Sequence, residues 1–137
     1  MVPSTKSNER QAQPSTTEEK KRIFIYSPDL NFCFSLSMLF QDRYSVVTTT
    51  NPGMIESCDG THAPHLVIVD AVPSESLLEK IAGLKKRQPN IPIISLYVYS
   101  ERAKELEERL RSHVDALYYK PIDVNDLSSR IAELLPA

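Results

Sequence analysis

Glycine is scarce in this 137-residue chain: Gly53, Gly60 and Gly83 are the only three. They stand too far apart to build a loop that cradles phosphates, which argues against nucleotide or flavin binding of the glycine-rich kind. Cysteine is scarcer still. Cys33 and Cys58 show neither disulfide nor metal-ligand spacing and read as two reduced thiols of a cytosolic protein. No apolar run reaches the roughly 20 residues that span a bilayer. The N-terminus has no apolar core of the kind a secretory signal needs. Neither sign of charge dominates: the formal net charge is -2, which removes the electrostatic basis for non-specific nucleic-acid binding.

What is present is an ordinary globular composition, 41% hydrophobic and 25% charged, in a length that fits one domain with a real core. Residues 1–21 are Pro, Ser, Thr, Gln, Asn and charges without apolar periodicity. Such a segment cannot bury enough surface to offset the entropy of ordering, so it reads as a disordered tail before a domain over residues 22–137.

From Arg22 the pattern alternates. Strands are predicted at Arg22–Ser27, Tyr44–Thr49, the run ending at Asp70, Pro92–Tyr97 and Val114–Tyr119. Helices are predicted from Asp29 to about Gln41, from Asn51-Pro52 to near Gly60, over residues 74–86, over 100–112 and from Asp123 to near Leu135. Five strands alternating with five helices through short connections imply an α/β fold. The natural topology is a doubly wound five-stranded parallel sheet of order 2-1-3-4-5, flavodoxin-like, with helices on both faces.

The segment His65-Leu66-Val67-Ile68-Val69-Asp70 is the most informative. A consecutive apolar run rich in Val and Ile suits a parallel strand covered on both faces. It stops on a carboxylate at the strand's carboxyl end, beside the switch-point crevice where open α/β sheets place their sites. Asp70 is therefore either a chemical carboxylate or one that holds a turn.

These residues resemble the receiver domain of bacterial response regulators from about Arg22 to Leu135. Val67-Ile68-Val69-Asp70 resembles the strand that ends in the phospho-accepting aspartate. Tyr119-Lys120-Pro121 resembles the family's Lys-Pro turn, and Pro92-Ile93-Ile94-Ser95-Leu96 its fourth strand. The resemblance implies a phospho-acceptor at Asp70, a phosphate or ion-pair partner at Lys120, and switch positions at Tyr97 and Leu117. It also implies a magnesium ion held by two adjacent acids after the first strand. Ser27-Pro28 stands in their place, which leaves Asp29 as the remaining metal candidate. Tyr97 replaces a small Ser or Thr. These departures favour a degenerate, pseudo-receiver-like module of a two-component system. Such a module acts through protein contacts, has no catalytic residue of its own, and has impaired or absent aspartyl phosphorylation. The competing readings are a working phospho-acceptor in a phosphorelay and a small flavodoxin-like ligand binder.

The partners this implies are proteins: a histidine kinase, a phosphotransfer protein or a downstream effector, with no direct nucleic acid and no membrane. Phe34 and Met38 on the first helix form an apolar stripe beside a second stripe of Phe32, Leu36 and Leu39. Phe34 and Met38, with Tyr99 and Tyr118, are the candidate docking residues. The helix over residues 100–112 carries Glu105–Arg109, Glu107–Arg111 and Lys104–Glu108 at i,i+4 spacing and reads as a solvated face. With the fifth strand and last helix it corresponds to the family's dimer surface, which makes a homodimer an expectation. Cys58, Asp59, His62 and His65 match no strong zinc pattern and read as a polar turn. His113 reads as a surface or helix-end residue.

Overall fold

Two strands are buried at every position, Leu66–Asp70 and Ile93–Tyr97. Both are apolar runs without polar alternation, and a central place in a parallel sheet is what such runs need. The computed structural model describes residues 20–58 and 63–136. In chain order these contain β1 (Arg22–Tyr26), α1 (Leu30–Phe40), β2 (Ser45–Thr49), a 3-10 turn (Pro52–Ser57), β3 (Leu66–Asp70), α2 (Glu75–Arg87), β4 (Ile93–Tyr97), a second 3-10 turn (Glu101–Ala103) leading into α3 (Lys104–Arg111), β5 (Ala116–Tyr119) and α4 (Val124–Leu134). All strand pairs are parallel, in the order β2-β1-β3-β4-β5, as the alternation predicts. The proposed tail falls outside the described residues up to position 19.

Alternate side chains of the central strands fill two separate cores. Phe24, Tyr26, Val67, Val69, Ile93 and Tyr97 point to one face, where Leu77, Leu78, Ile81 and Leu84 of α2 and Leu110 of α3 cover them. Ile23, Ile25, Leu66, Ile68, Ile94 and Leu96 point to the other, covered by Leu36 and Phe40 of α1 and by Leu127 and Ile131 of α4. Each of these helices brings its apolar residues at three- and four-residue spacing, as a helix laid on a sheet requires.

One predicted helix is not α-helical. The stretch after Asn51 is a 3-10 turn that ends at Ser57. Asn51 caps it as expected, its side chain accepting from the Gly53 N–H at 2.9 Å. Beyond the cap it offers few apolar positions, of which Ile55 and Cys58 are buried, three residues apart. That spacing aligns on a 3-10 turn and gives an α-helix almost no face to bury. Three helices start where expected, with Asp29, Ser74 and Asp123 accepting hydrogen bonds from the first-turn amides of α1, α2 and α4. The helix expected from residue 100 instead opens as the 3-10 turn Glu101–Ala103, without a side-chain cap from Ser100, and becomes α-helical at Lys104. Among the described residues, no helix is long and apolar enough to cross a membrane.

Candidate functional site

The carboxyl ends of β1, β3 and β5 meet over one carboxylate. Asp70, the last residue of β3, is 5% exposed. Lys120, just after β5, brings Nζ to 3.1 Å from both Asp70 oxygens. Ser27, just after β1, is completely buried and donates its hydroxyl to Asp70 Oδ2 at 2.7 Å. The Ser27 oxygen in turn accepts the Asp29 N–H at 3.0 Å. The carboxylate thus has one full countercharge and one neutral donor, the company a buried ion needs.

The ammonium is also held from above. Lys120 Nζ sits 4.0 Å from the centroid of the Phe32 ring, a cation–π contact from the first turn of α1. The Lys120 N–H donates to the Tyr97 carbonyl at 2.9 Å, so β5 delivers the lysine through its ladder with β4. The Lys120–Pro121 peptide bond is cis.

Asp29 is used elsewhere. Its Oδ1 accepts from the Asn31 N–H at 2.9 Å and the Phe32 N–H at 3.3 Å, the N-cap of α1. Pro28 offers no side-chain oxygen. Among the described residues, no group of three His, Cys, Asp or Glu side chains is placed to hold a metal ion. Asp59 and His62 lie outside the described residues. Of their sequence neighbours, His65 accepts the Arg22 N–H on Nδ1 at 2.8 Å and the Cys58 thiol donates to the Met54 carbonyl. Cys33 is buried beneath the site and donates to the Ser27 carbonyl, and burial pushes its thiol up from the ordinary cysteine range.

Tyr97 and Leu117 part company. Leu117 is half-buried and packs on the α2–α3 core. Tyr97 is 1% exposed and donates its hydroxyl to Glu107 of α3. Burial first, and then this hydrogen bond, push the phenol well above the ordinary tyrosine range. Glu107 corrects the view of α3 as a wholly solvated face, since it is a buried carboxylate at 8% exposure. The i,i+4 pair with Arg111 forms at 3.4 Å, but Tyr97 and Tyr119 donate to the same carboxylate. Arg109 reaches across to Glu75 of α2 in a bidentate pair at 2.9 and 3.1 Å.

The surface residues divide as well. Phe34 and Met38 are exposed, at 67% and 54%, and Leu30 continues their stripe at the same four-residue spacing. The second stripe is interrupted: Leu36 is core and Phe32 half-buried, whereas Leu39 faces solvent, because Phe40 takes the inward position at the end of the helix. Tyr99 is exposed. Tyr118 is half-buried against the α1–α4 core, and its neighbour Tyr119 is the exposed one. Strand alternation sends the two to opposite faces.

Three residues escaped sequence reasoning as site members: Ser27, Phe32 and Glu107. A small hydroxyl at the end of an otherwise apolar strand was the available signal for Ser27. Nothing in local sequence marks Phe32 or Glu107, because their partners lie far along the chain. The crevice beside the ends of β1 and β3, lined by Tyr26, Pro52, Ala71 and Ser74, encloses about 160 Å³. That is below the roughly 300 Å³ at which small-molecule sites begin.

No protein-family model matches the sequence, and no curated protein matches it. Solved structures match the fold. A response regulator receiver domain protein from Methanospirillum hungatei is 24% identical over 84% of this chain and 93% of that one, with a TM-score of 0.68. The BeF3-activated receiver domain of DrrB is 21% identical over 86% of this chain and 99% of that one, with a TM-score of 0.72. A protein from Burkholderia thailandensis described as a pilus assembly protein is 20% identical over 85% of this chain and 99% of that one, with a TM-score of 0.70. The chain has the fold of response regulator receiver domains.

Proposed function

We propose that this chain is a receiver-like signalling module that works through protein contacts and does not depend on magnesium-driven phosphorylation of Asp70. The observation that carries this reading is the state of the Asp70 carboxylate, with the Lys120 ammonium on both oxygens and the Ser27 hydroxyl donating to one of them.

Aspartyl phosphorylation brings an anionic carboxylate against an anionic phosphoryl group, and a metal with a cation must neutralise the charge. Magnesium takes hard oxygen ligands in near-octahedral geometry. The residues around Asp70 do not fit that demand. Ser27 turns its proton, not a lone pair, toward the carboxylate, the Pro28 side chain has no donor atom, and the Asp29 carboxylate caps α1. Lys120 alone balances Asp70, and the pair holds the strand ends together without an added ion.

The partner is a protein that buries an apolar helix face. Leu30, Phe34 and Met38 form a stripe on α1 that is exposed among the described residues, and a stripe of this spacing fits the helix-in-groove or helix-on-helix mode. Its first turn also carries Phe32 onto Lys120, so a partner on α1 sits beside the Asp70 pair.

The test is intact-mass measurement after incubation with magnesium and acetyl phosphate. The expected spectrum is that of the unmodified chain. A phosphate adduct that disappears in Asp70→Asn would overturn the proposal and favour the phospho-accepting alternative.

A further inference from the structure

Asp70 and Glu107 are the two buried carboxylates among the described residues. Adjacent residues serve them: Lys120 reaches Asp70, and Tyr119 reaches Glu107 with its hydroxyl 2.8 and 2.9 Å from the two carboxylate oxygens. Tyr97 adds a second phenol on Glu107 Oε1, and Arg111 lies 3.4 Å from Oε2. The phenol rings meet edge to face, Tyr97 with Tyr119 at 5.7 Å and Tyr119 with Tyr99 at 5.3 Å between centroids.

The helix that carries Glu107 has little else to hold it. α3 is eight residues long, and its apolar anchors are Leu110, fully buried, and Leu106, half-buried. A helix this short is not stable by its own hydrogen bonds and must be fastened by tertiary contacts. Besides those two leucines, the buried Ala103 at its N-terminus and the exposed Glu75–Arg109 pair, the described residues fasten it through the Glu107 network, which reaches β4 through Tyr97 and β5 through Tyr119.

We propose that Glu107, Tyr97 and Tyr119 form a lock that holds α3 in one position on the ends of β4 and β5. α3 then keeps a single arrangement, whatever occupies Asp70. The inference deepens the proposed function and rests on it: a module that does not switch by phosphate has no need for α3 to move. Moving α3 would take Glu107 away from both phenols and leave the buried Tyr97 hydroxyl without its acceptor, which low-dielectric surroundings penalise. The Tyr97 hydroxyl, committed to Glu107, is not free to answer a change at Asp70.

The test is amide hydrogen exchange read by mass spectrometry on the full chain, comparing the native protein with Tyr97→Phe/Tyr119→Phe. Both changes keep the rings and remove the hydroxyls. Exchange in α3 is expected to quicken at least tenfold in the double variant, while α1 and α4 keep native rates. Native rates in α3 of the variant would overturn the lock. Should the double variant lose its helical circular dichroism, the single Tyr119→Phe decides, because that ring is partly exposed and tolerates the change. The expected result is then at least threefold faster exchange confined to α3, and no change overturns the proposal. The two proposals fail separately. An Asp70 phosphate adduct with α3 exchange unchanged would overturn the phosphate-free reading and support the lock. An adduct that quickens exchange in α3 would overturn both, and native α3 rates in the variants without any adduct would overturn the lock alone.

Discussion

Lys120 and Asp70 face each other at 3.1 Å across the end of β4, so their ion pair ties together two strands that are not neighbours in the sheet. The lysine side chain is 23% exposed and the aspartate 7%, which places the pair between surface pairs and fully buried ones. Removing one partner from a buried pair costs about 3–5 kcal/mol, and surface pairs contribute about 0–1. Lys120→Met should therefore destabilise the fold by about 2 kcal/mol, because Asp70 is left with only Ser27. Asp70→Asn should cost less, since the Lys120 ammonium it leaves unpaired is the more exposed partner and its long stem can carry it to water. Urea unfolding of the three proteins checks the order.

Glu107 makes stability depend on acid. Burial raises its carboxyl, but the hydrogen bonds from Tyr97 and Tyr119 and the Arg111 cation outweigh this, and the net shift is downward. A carboxyl depressed on folding stabilises the protein at pH values above its unfolded value of about 4.3. That stability is lost as pH falls below 4.3 through the folded value. Thermal unfolding followed from pH 6 to pH 3 should show a steeper loss below about pH 4.3 for the native chain than for Glu107→Gln, which has no proton to take up there. Parallel curves would remove Glu107 as the source.

Ser95 sits fully buried in β4, and its hydroxyl has no hydrogen-bond partner among the described residues. An unsatisfied buried hydroxyl costs about 1–3 kcal/mol. Ser95→Ala removes the polar atom and one small volume, so it should stabilise the fold by about 0.5–1 kcal/mol, read as a higher midpoint in urea at unchanged slope. A lower midpoint would mean that the hydroxyl is paired in solution.

The two sides of α1 should respond oppositely to substitution. Leu36 is core, and Leu36→Ala should cost about 2–4 kcal/mol. Phe34 and Met38 are exposed, so Phe34→Ser/Met38→Ser should change stability by less than about 0.5 kcal/mol at each site. If the stripe is the docking surface, the double variant loses the partner while its unfolding curve stays native. Retained binding would move the interface elsewhere.

Several features were legible from local pattern because their causes are local. Asp29, Asn51, Ser74 and Asp123 cap where a short polar side chain precedes an apolar-periodic run. Consecutive Val and Ile at β3, and the strand–helix alternation, lead to the parallel order without any knowledge of contacts. The stretch after Asn51 misled because a good cap and a proline signal a start, whereas the length of a helix is decided by the apolar face beyond them. Tyr118 and Tyr119 were ambiguous because in an apolar pair on an edge strand either residue can face inward.

The linear chain determined by itself the order of strands, the caps, and the arrival of one aspartate and one lysine at the same end of a parallel sheet. These follow from hydrogen-bonding geometry and apolar periodicity, which act over a few residues. Only the tertiary structure decided what surrounds that aspartate and what holds α3. Ser27 and Asp70 are 43 positions apart and Tyr97 and Glu107 are ten, and a hydroxyl's choice of carboxylate is made by burial after the strands have docked. A polar group removed from water takes whichever partner packing brings within reach, and no periodicity in the chain encodes that choice.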